Sequence, residues 1–590
     1  MKKILLIVLV ILSLFLVSCG KKVDDNKDSG DEPDIVDPND PDEEGDKPKE
    51  PTEEEILNQA RKILETMTLE QKVGQMFMVG FSGTTVNNNL INAINKYKFG
   101  NIIYMGTNVS DSSNVVNLSQ NIQNLVINTT KIPAFISIDQ EGGMVVRFTE
   151  QATHFIGAMG LTATNDSSKA YKIGRLSGQE LRHFGINMNL SPSLDVNNNS
   201  DNPVIGIRSY SDNPNVVGVY GSQMIKGLTE SNVIAVAKHF PGHGDTVVDS
   251  HYGLPSINHS IQRLNDVELK PFKMAIDNGI DAIMSAHIIF SEIDPSNPAT
   301  LSSKVINDLL RKELGFNGIV LTDAMGMAAI DSNYGAEVAA VKAINAGIDI
   351  LLYTESTTSS VGAYNGVLNA IKNGEIKEST IDESVLRILS KKIKMNLFND
   401  YLPKNNLTTI DFNNNYSINM ELIRNSITLN KGNIDFFDSE KSTYFLSTVN
   451  NRYPLEPGLV VNASNNTLST LAVKYFNDLG NNQVEKETIE STLNNTRIQN
   501  IKNKAKNYEQ IVVALENITA TQITLVNELV SINSNLILVS LKNPYDIEKV
   551  KSVKNHICTY GYYTETVMSL FDLLNKKYKA KGVMPLSLKS

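Results

Sequence analysis

Residues 238–255, KHFPGHGDTVVDSHYGLP, put three histidines, two aspartates and a lysine into eighteen positions, directly after the apolar run 233–237. Five of the chain's eight histidines lie between His239 and His287. An apolar strand that ends in a dense ionisable loop is how an enzyme builds its floor, with the strand buried and its end carrying the chemistry. Within the loop, Asp249 stands two residues before His251. In an extended segment residues two apart share a face, so the carboxylate can reach the imidazole, fix its tautomer and raise its basicity. Asp323 stands at the end of a second apolar run, 318–322. A lone carboxylate there can serve as nucleophile or as electrostatic stabiliser. A nucleophilic carboxylate plus a proton shuttle is the minimum equipment for retaining glycoside cleavage. No serine elbow, phosphate-cradling loop or dinucleotide fingerprint accompanies them. The competing chemistry is a metal site at His239 and His243, with Asp245, Asp249 and His251 nearby. Pro241-Gly242 breaks any helix that could present the first pair on one face, so no metal and no cofactor are expected.

These groups need a scaffold that gathers strand ends. Eight apolar runs recur at 75–79, 101–105, 134–138, 187–190, 233–237, 282–285, 318–321 and 348–352. Helical periodicity separates them at 170–184, 216–228, 264–278, 304–314 and 336–346. The alternation predicts a (β/α)8 TIM-like barrel over residues 56–403. Polar residues close the runs all the way round (Asp139, Asp195, His239, His287, Asp323), which suits one barrel mouth better than an open sheet. After an Asn/Asp-rich break, residues 416–590 read as an αβα sandwich domain, with strands at 443–447, 459–462, 511–515, 536–541 and 556–558 and helices at 468–479 and 567–575. Its strand ends are chemically poor.

The chain has 590 residues, 41% hydrophobic, and only two cysteines, so no disulfide framework is expected. Cys558 reads as a buried core residue. Residues 1–19 form a basic start, an apolar stretch and Leu-Val-Ser-Cys, an ending that resembles a bacterial lipobox. The resemblance implies cleavage before Cys19, lipidation of its thiol and tethering to a membrane outside the cytoplasm. Residues 20–55 read as a disordered acidic linker. Positions 21–55 hold 16 acids and 5 bases, a net −11 that equals the whole chain's value. The folded part is therefore close to neutral, and no basic patch points to nucleic acid.

Further motifs join the histidine segment: IDQEGGMVVRF (138–148), NLSPSLDVN (189–197), VIGIRSYSDN (204–213), MSAHI (284–288) and LTDAMGM (321–327). Together, in this order, they resemble glycoside hydrolase family 3, and within it the β-N-acetylglucosaminidase branch. The final GVMPLSL (582–588) resembles the close of that family's second domain. The resemblance implies that Asp323 is the nucleophile, His251 the acid/base and Asp249 its partner. It implies that Asp139, Arg208, Lys238 and His239 hold sugar hydroxyls, a role for which charged forks are chemically suited. The alternative for Asp139, Arg208 and Lys238 is an ion network bracing the mouth. Met144 departs from the family's more usual arginine, which puts any contact from position 144 in doubt. β-Glucosidases of the same family place their acid/base in the second domain and tend to carry tryptophan after the nucleophile; here Ala324 follows Asp323 and the chain has no tryptophan. The implied activity is a retaining exo-β-N-acetylhexosaminidase acting on peptidoglycan or related glycans. A phosphorylase, a β-glucosidase of the same family and a non-catalytic sugar-binding surface lipoprotein are the other readings.

Overall fold

The computed structural model describes residues 51–109, 112–148, 152–402, 410–448 and 467–589. The expected leader, Cys19 and residues 20–50 lie outside these, as does the expected strand at 459–462. The described chain opens with a helix at Glu53–Glu65, started by a reciprocal cap between Thr52 and Glu55 and by three glutamates in its first turn. Acidic residues there face the positive end of the helix dipole. The acidic run therefore does not remain disordered to residue 55: its last three glutamates are helical.

Eight parallel strands run in sequence order around one sheet: β1 Phe77–Val79, β2 Asn101–Tyr104, β3 Phe135–Ile138, β4 Met188–Asn189, β5 Ile234–Phe240, β6 Ala282–Ser285, β7 Ile319–Thr322 and β8 Leu351–Tyr353. β8 pairs with β1, and a parallel bridge from Leu321 to Ile350 joins β7 to β8. The ring is thus nearly closed, as a (β/α)8 barrel requires. All eight expected runs are strands. They are continuous rather than alternating in apolar character because both faces are covered, by barrel filling inside and by helices outside. At the N-terminal end, fully buried Asp349 accepts from Arg311 (2.7 Å), from Arg387 (2.9 Å) and from the Val320 N–H (2.8 Å). This ion cluster is scaffold, far from the strand ends that carry chemistry.

The helices between strands are those expected, with two differences, the first being that Lys304–Glu313 is wound as a π-helix. The second is that residues 264–278 form two helices, Ile261–Asp266 and Leu269–Asp277, not one. The break is at Val267, which leaves helical backbone (φ −125°, ψ −73°), and Pro271 fits the first turn of the second helix, where its missing N–H costs nothing.

Among the described residues, the second domain is a six-stranded sheet flanked by helices. Its strands are β9 Thr428–Lys431, β10 Thr443–Thr448, β11 Val484–Ile489, β12 Gln510–Leu515, β13 Ile537–Ser540 and β14 Asn555–Cys558, in the spatial order β9-β14-β13-β12-β10-β11. All neighbours are parallel except β9 with β14. β9 and β11 are the two edges and are not legible as apolar runs. Phe412–Ser426 is one helix, so position 416 lies inside it. Asn419 on this helix accepts from the Ile156 N–H and donates to the His154 carbonyl, tying the connection to the barrel.

Candidate active site

The mouth is built from the loops that leave the C-terminal ends of β3, β4, β5, β6 and β7. After β3, Gly142 and Gly143 adopt positive φ (85° and 59°), a region that favours glycine. Glu141 thereby turns back to bond Val145 through its backbone. Its carboxylate receives the Arg208 fork at 2.7 and 3.0 Å and Lys238 Nζ at 2.7 Å. Asp139 receives Lys238 at 2.8 Å and Arg147 at 3.1 Å. Asp139, Arg208 and Lys238 therefore meet in one network, completed by Glu141 and Arg147. Sequence reasoning does not single out the last two. Their signal is nonetheless present in IDQEGGMVVRF: a second acid and an arginine flank a glycine pair that can fold them together. Lys238 is almost fully enclosed (side chain 3% exposed), while Asp139 and Arg208 keep 17% and 15% open. Burial would raise both carboxyls, but the cations outweigh it: Lys238 and Arg147 lower Asp139, and Arg208 and Lys238 lower Glu141.

At the end of β5, His239 Nδ1 lies 2.7 Å from Asp195, which also accepts the His239 and His243 backbone N–H groups. Asp195 is fully buried. Burial would raise its carboxyl, yet His239 and the His243 N–H bring it down to about 2. Ionised Asp195 can only accept, so His239 carries its proton on Nδ1 and leaves Nε2 for a ligand. His243 is held at both nitrogens, by Thr246 (2.9 Å) and Ser250 (3.0 Å). Burial and the neighbouring His239 push it down to about 4, so it is a neutral brace. With both nitrogens engaged, it is no metal ligand in this geometry. Among the described residues, Asp245, His259 and Glu268 are spaced for a metal, but Arg263 already grips Glu268 at 2.6 Å and Asp245 pairs with His259 at 2.6 Å.

His251 Nδ1 meets Asp249 Oδ1 at 2.7 Å. The route differs from the extended loop expected. The Asp249 carbonyl accepts from Tyr252 and Gly253, so the segment is a turn, and the Asp249 carboxylate also accepts the His251 backbone N–H at 2.9 Å. This is the local side-chain turn that aspartate favours. The pair is more open than Asp195–His239, with the His251 side chain 34% exposed. Burial pulls its pKa down, but the Asp249 hydrogen bond and the charge of Asp323 outweigh it and hold it above the ordinary value.

Asp323 lies directly after β7. Its backbone N–H bonds the Ser285 carbonyl of β6, and its Oδ1 accepts the Ala324 N–H at 2.7 Å. His287, at the end of β6, bonds the Ala324 carbonyl through Nε2 and Thr300 through Nδ1, which fixes the backbone behind the carboxylate. Burial would raise Asp323, yet the imidazoles of His239, His287 and His251 hold it well below the usual carboxylate range. Met144 packs with an apolar cluster shared by the two domains, including Ile207, Tyr560 and Leu586. A hydrophobic side chain at that position thus has a packing role.

A parallel barrel that gathers ionised carboxylates and shielded imidazoles at its C-terminal mouth defines a class, the carboxylate and imidazole enzymes of the (β/α)8 type. The glycosyl hydrolase family 3 N-terminal domain matches residues 68–391, more than half of the sequence, and the chain belongs to that family. Beta-hexosaminidase A of Pseudoalteromonas piscicida is 35% identical over 368 residues, which cover 56% of this chain and 62% of that protein; the match thus spans less than two thirds of its length. A beta-hexosaminidase of Shewanella frigidimarina is 33% identical over 287 residues, 47% of this chain and 80% of that one. Among solved structures, a family 3 beta-N-acetylglucosaminidase from Paenibacillus sp. is 34% identical, with TM-score 0.80, covering 89% of this chain and 99% of the other.

Proposed function

We propose that this protein is a retaining exo-β-N-acetylhexosaminidase that removes terminal β-linked N-acetylglucosamine from cell-wall or related glycans. The observation that carries the reading is Asp323, at the end of β7, within electrostatic reach of His251, whose Nδ1 Asp249 holds at 2.7 Å. In the first step, the Asp323 carboxylate attacks the anomeric carbon while His251 Nε2–H protonates the departing oxygen. The bond to the leaving group breaks as the bond to Asp323 forms. In the second step, neutral His251 takes a proton from water, and the water oxygen displaces Asp323. Asp249 stabilises the imidazolium and fixes which nitrogen faces the sugar. Asp139 and Arg208 keep open polar surface for hydroxyls, with Glu141 and Lys238 holding them. The beta-hexosaminidase relatives and the Paenibacillus enzyme support the substrate class.

The test is hydrolysis of an aryl β-N-acetylglucosaminide against the matching aryl β-glucoside, using the chain from residue 51 so that the Thr52 cap is kept. Preference for the N-acetylated sugar, with the β-anomer as first product, is the expected result. Equal turnover of both sugars contradicts it.

We further propose that the mature protein is a lipoprotein held by acyl chains on Cys19 at the outer face of a membrane. The support is the Leu-Val-Ser-Cys ending and the acidic spacer behind it, which anionic lipids would repel, leaving attachment to the lipid. Cys19→Ser should move activity from the membrane pellet to the soluble fraction. A variant that stays in the pellet as fully as the wild type contradicts the anchor.

A further inference from the structure

The last residues of the chain leave the second sheet and cross onto the barrel. Gly582 still bonds Ile427 of the second domain, but the next residue, Val583, donates its N–H to the Ala163 carbonyl at 2.8 Å. Ser211 Oγ donates to the Pro585 carbonyl at 2.6 Å, and the Ser587 N–H donates to Asp212 Oδ2 at 2.8 Å. Between them Leu586 is buried in a cluster that includes Ile207. Ile207 and Arg208 belong to the same short 3-10 turn, Gly206–Arg208. The tail therefore touches the loop 204–213 on both sides of Leu586, and that loop carries the Arg208 fork to Glu141. The same loop reaches the other half of the mouth: the Ser211 carbonyl accepts the Asn197 N–H, and Ser209 Oγ donates to the carbonyl of Asp195, the partner of His239.

We infer that residues 583–588 form a strap by which the second domain sets the position of Arg208, and that Ser211 and Asp212 are positioning residues for sugar affinity. The inference rests on the reading of Arg208 as a sugar-binding group. Without the strap, the loop still reaches Glu141 through Arg208, but its backbone gains alternatives, and the fork must be ordered when sugar arrives. Ordering a loose group on binding weakens affinity and leaves the chemical step alone.

The test uses the full chain with Ser211→Ala and Ser587→Pro combined, which removes the two tail bonds to the loop 204–213, together with the Asn213 N–H bond that Ser211 Oγ accepts at 3.1 Å within the loop. Ser587→Ala keeps the backbone N–H and serves as the conservative control; Asp212→Ala breaks the second bond from the barrel side, should the proline variant fold poorly. KM for the aryl β-N-acetylglucosaminide should rise roughly ten-fold while kcat stays within about three-fold, since the hydrogen bonds lost are of ordinary strength and serve positioning, and none is lost from the transition state. The pH profile should not move, and Ser587→Ala should match the wild type. In an Arg208→Lys background the same changes should add no further KM penalty. Amide hydrogen exchange should quicken across 204–213 and stay unchanged in β5. Unchanged KM together with unchanged exchange overturns the strap, as does an equal penalty in the Arg208→Lys background. If the wild type turns over no β-N-acetylhexosaminide, the proposed function fails, and exchange at 204–213 still decides the strap.

Discussion

At the barrel mouth Asp139, Glu141, Asp195 and Asp323 are all held below the ordinary carboxylate range, whereas Glu516 and Asp546 of the second domain are pushed up to about 7. Burial raises all six. The difference is company. Lys238 bridges two of the mouth acids at 2.7 and 2.8 Å, and imidazoles surround the other two. In the second domain Lys549 lies 3.9 Å from Asp546, and the charge of Lys542 does not offset the burial of Glu516. Burial that partners do not offset thus moves acids toward the neutral form. Charge that persists in an enclosed site must be built with partners, and here those partners are at the mouth.

The largest effect should come from Asp323→Asn, which replaces the one mouth acid read as a nucleophile. Loss of roughly 10³-fold or more in kcat/KM is expected, with an unchanged circular dichroism spectrum. Retention of a tenth of the activity would remove Asp323 from that role. Next is Lys238→Met. It takes the shared cation from Asp139 and Glu141 and leaves buried carboxylates under-compensated. A stability loss of about 3–5 kcal/mol in urea unfolding is expected, and a loss under about 1 kcal/mol would show that Arg147 and Arg208 suffice without it.

The eight barrel strands can be read from the sequence because burial on both faces makes them unbroken apolar runs. The edge strands β9 and β11 cannot. β11, Val-Glu-Lys-Glu-Thr-Ile, buries only its two ends and exposes charge along an edge. The site is legible where spacing alone brings groups together, as at Asp249 and His251, although the link is a turn rather than an extended strand. Glu141 and Arg147 are hidden for a different reason. The cations of Glu141 arrive from residues 208 and 238, too distant along the chain for a local pattern to report, and Arg147 reaches Asp139, eight residues away, only because the glycine turn between them folds back. Asp195 is visible at a strand end, but its control of His239 depends on two strands lying side by side.

Two further groups, one at the mouth and one in the second domain, separate charge kept by partners from charge lost to burial. For His251, kcat/KM should fall as pH rises through its elevated pKa, because proton donation needs the imidazolium. The Asp249 hydrogen bond is the first of the influences that raise that pKa, ahead of the charge of Asp323, so Asp249→Asn should move the basic limb to lower pH. His251→Ala should cost roughly 10²–10⁴-fold on substrates with basic leaving groups and far less on activated aryl glycosides. Equal losses on both would exclude it as the acid. The smallest effect is at Asp546. Its pKa is raised on folding, so the native state binds more protons than the unfolded one between about 4 and 7, and stability falls as pH rises through that window. Asp546→Asn keeps an acceptor for the Ile518 N–H and should stabilise the protein at pH 8 by on the order of 1 kcal/mol, with no gain at pH 4. Equal effects at both pH values would mean that the carboxyl is not neutral in the fold.

The proposed mechanism turns on a covalent bond from Asp323 to the sugar. The direct measurement is intact-protein and peptide mass spectrometry after incubation with a fluorinated N-acetylglucosaminide that glycosylates quickly and hydrolyses slowly. One added sugar is expected, carried by the peptide containing Asp323, absent from Asp323→Asn and lost over time as activity returns. An adduct on another residue, or full inactivation with no adduct at all, would contradict it.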